Sequence, residues 1–248
     1  MDARHRSAYG PRARLGLIVP PTNTVNEAEW ARMMPEGVTF HTHRMPLHAD
    51  TASAAGRSAL MADLDSACAM LGRCGPDVIA YACTAGSMAT PAEALPEAVS
   101  ARAGRPVIST AAAIVAALRA LGVRRLSVAT PYAQALNDHE AHFLAEHGFE
   151  VTRLLGLGIG ADGPQDFVRI AQTPLAAVAA HARAAFAPGS GALLITCTDF
   201  PALPLIETLE AELGVPVITS NQATLWAALR RAGVAEAAAG AGRLLQAG

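Results

Sequence analysis

Charge is scarce in this chain. Asp, Glu, Lys and Arg make up 16% of its 248 residues, against 52% hydrophobic residues. That balance excludes global disorder, which needs the reverse. The net charge is only −2, so the basic footprint of a nucleic-acid binder is missing. No apolar run reaches the roughly 18 residues of a membrane span. Residues 1–14 carry several arginines but no apolar stretch, so they do not read as a secretory signal; a short disordered leader is expected there. Aromatic residues are few, at 4%, while alanine is abundant, which suits close helix–sheet contacts. Cysteine is limited to Cys68, Cys74, Cys83 and Cys197. Without a secretion signal, a reducing cytoplasmic setting is expected and disulfides are not. No Cys-x-x-Cys pair or Cys/His cluster has zinc spacing, so no metal is expected. Each cysteine is then a small buried hydrophobe or a nucleophile.

The length allows one large domain or two small ones. Short apolar runs at Leu15–Pro20, Val78–Ala82, Pro106–Ser109, Leu126–Ala129, Ala192–Thr196 and Pro216–Thr219 fit strands buried on both faces. Apolar positions at helical spacing fill Ser58–Arg73, Ala111–Leu121, Asn137–His147, Leu175–Phe186, Leu203–Leu213 and Ala223–Ala232. This alternation predicts an α/β architecture with parallel sheets. The sequence also repeats itself. Ala80-Tyr81-Ala82-Cys83-Thr84 matches Leu194-Ile195-Thr196-Cys197-Thr198, Pro106-Val107-Ile108-Ser109 matches Pro216-Val217-Ile218-Thr219, and Ala116-Ala117-Leu118-Arg119 matches Ala227-Ala228-Leu229-Arg230. The offsets of 114, 110 and 111 residues, in the same order, predict two similar halves.

Ligands of open α/β sheets sit beyond the carboxyl ends of strands. Cys83 and Cys197 both fall at such ends. Facing each other across a pseudo-two-fold axis, they could act on opposite sides of one small molecule, one attacking or taking a proton and the other delivering one. Cys68 and Cys74 lie within or just after a helix and read as packing residues. Thr84 and Thr198 add hydroxyls and backbone N–H groups beside each thiol. Three further strand-end loops are candidates. Pro20-Pro21-Thr22-Asn23-Thr24 offers the Asn23 amide either to a carboxylate or as an ordinary helix cap. Thr130-Pro131-Tyr132 offers a hydroxyl. Ser220-Asn221-Gln222 could cap a helix, line the cleft, or both. His41, His43, Arg44 and His48 read as surface residues, with Arg44 or His48 as an alternative flap over an anion. Gly156-Leu157-Gly158-Ile159-Gly160 lacks the spacing of a dinucleotide loop.

The motifs GLIVPPTNT (16–24), FHTHRM (40–45), YACTAG (81–86), VATPY (128–132), ITCTDFPALP (195–204) and PVITSNQA (216–223) together resemble the aspartate/glutamate racemase superfamily. Within it the chain is most similar to the maleate cis-trans isomerase and arylmalonate decarboxylase branch. The resemblance implies two Rossmann-like halves, 15–118 plus 222–248 and 119–221, with the active site between them and no cofactor. It implies that Cys83 attacks a substrate double bond and Cys197 supplies and recovers a proton. It also implies that Pro21, Asn23, Thr84, Ala85, Tyr132 and Thr198 surround a small carboxylate substrate, with a homodimer left open. Decarboxylases of this branch carry glycine at the position of Cys83, so its presence points to an isomerase, with a racemase of amino acids or related acids, or an arylmalonate-decarboxylase-like enzyme, as the alternatives. A non-catalytic acid-binding protein is the outside reading, disfavoured because binding alone does not need two thiols. Gly160-Ala161-Asp162-Gly163 replaces an Asp-Asn pair of the isomerases, and Asp162 near the cleft would repel a second carboxylate.

Overall fold

The computed structural model describes residues 7–48, 50–51, 53–235 and 240–247. The part of the expected leader at residues 1–6 lies outside that range. Eight strands follow in order: β1 (Ala13–Val19), β2 (Val38–Arg44), β3 (Val78–Tyr81), β4 (Val107–Ser109), β5 (Arg125–Tyr132), β6 (Glu150–Ile159), β7 (Leu193–Ile195) and β8 (Val217–Thr219). The helices are α1 (Asn26–Met33), α2 (Ala54–Gly72), α3 (Ala94–Ala103), α4 (Thr110–Ala120), α5 (Gln134–Glu146), α6 (Val168–Ala171), α7 (Leu175–Ala185), α8 (Ile206–Leu213), α9 (Ser220–Arg231) and α10 (Gly242–Gln246). Strand β1 takes in Ala13 and Arg14, so the ordered fold begins before the expected end of the leader.

The strands form two parallel four-stranded sheets, ordered β2-β1-β3-β4 and β6-β5-β7-β8. The second order is the first one repeated, as the sequence offsets predict. The inner strands are apolar throughout because helices cover both faces; β3 and β7 are buried along their whole length. Of the edge strands, β2 and β6 carry half-exposed polar residues, whereas β8 is buried along its length. One large core, from Leu15 and Leu17 through Leu126 to Leu193 and Leu225, runs through both sheets. A smaller cluster around Leu64, Ile79 and Tyr81 fills the α2 side of the first sheet and takes in Cys68.

In each sheet the direction of crossover reverses beside the second strand of the order. Such a switch point opens a crevice at the carboxyl ends of the flanking strands. Here those strands are β1 and β3 in one sheet, β5 and β7 in the other.

Candidate active site

Cys83 follows β3 by two residues, and Cys197 follows β7 by two. Both line one cavity of about 70 Å³, together with Pro20, Asn23, Thr84, Tyr132, Thr198 and Asp199. That space holds roughly five water molecules, so its occupant is small. Apart from Thr22, the remaining walls are apolar: Leu47, Ala85, Leu136, Phe167 and Ile170.

The surroundings of the two sulfurs match. The Gly86 N–H donates to Cys83 Sγ at 3.4 Å, and the Tyr81 hydroxyl donates to the same sulfur. The Asp199 N–H and the Tyr132 hydroxyl donate to Cys197 Sγ. Burial pushes both thiols up; it is opposed at Cys83 by Gly86 and Tyr81, and at Cys197, which reaches about 12, by Asp199 and Tyr132. Burial also holds both tyrosines well above the ordinary range, so each remains a donor. Position 86 must be glycine for this packing: a Cβ there would lie 2.5 Å from the Tyr81 hydroxyl and 3.0 Å from Cys83 Sγ.

Cys197 has a φ of 88°, the one non-glycine residue in the left-handed region among those described. A β-carbon makes that conformation costly. It is held from behind. Ser220, fully buried at the start of α9, accepts from the Cys197 N–H at 3.0 Å. The same Ser220 Oγ lies 2.9 Å from Thr84 Oγ1, so one hydroxyl ties both cysteine loops together.

Asn23 takes one of the two roles the sequence left open, that of the helix cap. Its Oδ1 accepts from the Val25 and Asn26 N–H groups at the start of α1, while its Nδ2 donates to Thr198 Oγ1 at 3.0 Å. Thr198 Oγ1 in turn donates to the Ala82 carbonyl. Among the described residues, the N–H groups of Thr84, Ala85 and Thr198 donate to no protein acceptor. Pro21 is exposed and stands outside the wall, which its neighbours Pro20 and Thr22 form instead. Asp162 is exposed as well, so the repulsive carboxylate expected of it is not in the cavity; the following turn brings in Phe167.

Of the 220–222 segment, none lines the cavity. Thr219 caps α9 and forms a capping box with Gln222. Asn221 accepts from Asn26 Nδ2 at 2.6 Å and donates to Glu29 at 2.7 Å. Glu29 also accepts the N–H groups of Ala202 and Leu203, each at 2.8 Å. Arg44 is not a flap: its guanidinium pairs with Glu27 and donates to the Asn23 carbonyl at 2.6 Å. His48 lies 2.9 Å from Asp63.

Sequence reasoning missed Tyr81, Asp199 and Glu140. Tyr81 stands inside the very repeat that marks Cys83, yet its partner Ile195 is apolar and hides it. Glu140 of α5 is buried, with the Thr196 hydroxyl donating to it at 3.1 Å. Burial raises its carboxyl to about 8 against that hydrogen bond. Among the described residues no group of three or more His, Cys, Asp or Glu gathers as a metal site, and no helix is long and apolar enough to cross a membrane.

The family profile described as arylmalonate decarboxylase matches residues 15–245. This chain belongs to the arylmalonate decarboxylase family. Within reach of that family's profile the chain is 31% identical to a maleate isomerase of Nocardia farcinica, over 94% of this chain and 95% of the relative. It is 33% identical to arylmalonate decarboxylase of Bordetella bronchiseptica, over 93% and 95%. A solved Nocardia farcinica maleate cis-trans isomerase, a cysteine-to-serine mutant with a covalently bound succinylcysteine intermediate, superposes with a TM-score of 0.81 at 30% identity; 94% of this chain and 98% of that one are covered. The family and its relatives make this chain an isomerase-type enzyme with cysteine-based chemistry.

Proposed function

We propose that this chain is a cis-trans isomerase of a small unsaturated acid of the maleate type, with Cys83 as nucleophile and Cys197 as proton carrier. One observation carries the reading: two thiols from two sheets, each held by one backbone N–H and one tyrosine hydroxyl, border the same small cavity. The succinylcysteine in the Nocardia relative supports addition rather than simple proton exchange.

In this mechanism the Cys83 thiolate adds to one alkene carbon. The alkene π pair takes the proton of the Cys197 thiol at the other carbon, leaving a saturated thioether. The central bond rotates, the Cys197 thiolate takes the proton back, the double bond re-forms in the trans geometry, and Cys83 leaves as thiolate. Atoms and electrons balance with no outside oxidant or reductant. A thiol raised to about 12 stays protonated across the working range, which suits a donor. The Gly86 N–H and Tyr81 hydroxyl favour the anionic form of Cys83 against burial. Substrate carboxylate oxygens would meet the free N–H groups of Thr84, Ala85 and Thr198, with Asn23 and Tyr132 beside them. Donors fixed in advance stabilise the charge that builds there during addition. A cytoplasmic setting, in which thiols stay reduced, goes with this reading.

The test is proton NMR of maleate incubated with the reduced protein. Fumarate should appear, and Cys83→Ser and Cys197→Ser should each lower kcat by about 10³-fold or more. Absence of fumarate with the wild-type protein would overturn the reading. A second reading, racemisation beside a carboxylate, is favoured by the apolar wall of Leu136, Phe167 and Ile170, which suits an apolar substituent on the reacting carbon. Deuterium exchange at Cα of a 2-aryl acid, without alkene isomerisation, would support it instead.

A further inference from the structure

The Asp199 carboxyl has no part in the mechanism above, yet the residue is 6% exposed and forms part of the cavity wall. Its Oδ1 accepts from the N–H groups of Thr24 at 2.8 Å and Val25 at 3.3 Å. Its Oδ2 is buried and has no hydrogen-bond partner among the described residues. A buried carboxylate oxygen left bare is costly unless a proton or a ligand's donor meets it.

The charged and titratable groups around Asp199 do not relieve it. Cys197 on its own loop and Tyr132 at the end of β5 are held protonated by burial, and Cys83 after β3 carries no positive charge as thiol or as thiolate. Arg44 of β2 lowers the Asp199 carboxyl from a distance, but its guanidinium is committed to Glu27 of α1 and the Asn23 carbonyl. Glu29 of α1 lies behind the same loop and accepts from Ala202 and Leu203. The wall itself contains no Arg or His, and the chain has no lysine at all. The cavity therefore offers donors to one anionic carboxylate and, on the Asp199 side, an acceptor.

We propose that Asp199 selects the second polar group of the substrate, so that the site takes a monoanion presenting a hydrogen-bond donor there, such as the half-amide of a cis-unsaturated diacid, in preference to the dianion. This rests on the isomerase reading of the same cavity. Burial raises the Asp199 carboxyl to about 6, against the hydrogen bonds from Thr24 and Val25. The group is thus mainly ionised at neutral pH and meets a second carboxylate as a like charge. Asp199→Asn keeps an acceptor for Thr24 and Val25 and sets an amide donor where Oδ2 stands.

The experiment titrates maleamate and maleate into wild-type protein and D199N by calorimetry near neutral pH, and follows isomerisation of both compounds by NMR in parallel. The wild type should bind maleamate about tenfold or more tightly than maleate, and D199N should shrink or invert that ratio by a similar factor. A ratio taken within one protein cancels a general loss of folded material. On the wild type alone, the preference should fade as pH falls through about 6, where Asp199 takes up its proton. An unchanged ratio in D199N, a wild-type preference for the dianion, or a pH-independent ratio would overturn the role of Asp199 while fumarate production leaves the isomerase reading intact. The expected ratios without isomerisation of either compound would support Asp199 as selector and overturn the isomerase reading.

Discussion

Glu140 is a buried acid with one hydroxyl to meet its charge. Its carboxyl is raised from 4.5 to about 8 in the folded protein. The folded chain therefore keeps a proton that the unfolded chain gives up. The stability this contributes is full below about 4.5 and is lost as pH rises through about 8, at up to about 1.4 kcal/mol per pH unit. Glu140→Gln holds the neutral shape at every pH. Urea midpoints measured near pH 5 and pH 8.5 should fall more for the wild type than for the variant, and parallel lines would refute a proton on Glu140. The cysteines were legible at this scale because a repeat placed them at equivalent strand ends. Asp199 and Tyr81 were not, because their importance comes from one oxygen with no partner and one hydroxyl turned back onto a sulfur, which sequence spacing does not encode.

Among the elements, the inner strands announced themselves as apolar runs between turns. So did the edge strands β4 and β8, but the opposite edges, β2 and β6, did not. β2 reads Val-Thr-Phe-His-Thr-His-Arg and pairs only with β1, so half of each face meets solvent and the apolar run is broken. Helix α1 was hidden for a related reason. Its buried face carries Asn26 and Glu29 beside Trp30 and Met33, and polar residues at core positions erase the helical period that apolar ones would show. Those residues are buried because they bond α9 and the loop after β7. The start of α9 is the element that holds both cysteine loops, through Ser220. Ser220→Ala leaves the Cys197 N–H without its acceptor and Thr84 Oγ1 without its partner. An unpaired buried donor costs about 1–3 kcal/mol, so denaturant unfolding should show a loss of that size. Turnover of whichever substrate is found should fall with it. A variant of unchanged stability and rate would show that the bridge is idle.

At the scale of the molecule, the sheets are joined by more than a shared core. Asn23 bonds Thr198, Asn26 bonds Asn221, Glu29 bonds Ala202 and Leu203, Thr84 lies against Ser220, and Thr224 donates to Thr110 at 2.9 Å. These links cross between the two sheets around the cavity and tie the two cysteine loops to each other. The repeat in the sequence showed that there would be two alike halves, but not this seam: Thr84 and Thr198 stand inside the repeat, yet which side chains they meet depends on how one half packs on the other and not on spacing along the chain. The left-handed turn at Cys197 carries a last consequence. Glycine normally weakens a chain by about 0.4–1 kcal/mol relative to alanine through the freedom it adds to the unfolded state. At position 197 the order should invert: Cys197→Gly should melt above Cys197→Ala in a thermal scan, since only the alanine retains a β-carbon in that conformation. On the mechanism proposed above, the thiol occupies the position where glycine would suit the backbone best, so chemistry and sturdiness pull in opposite directions at this residue and Cys197→Gly should give a sturdier, inert protein.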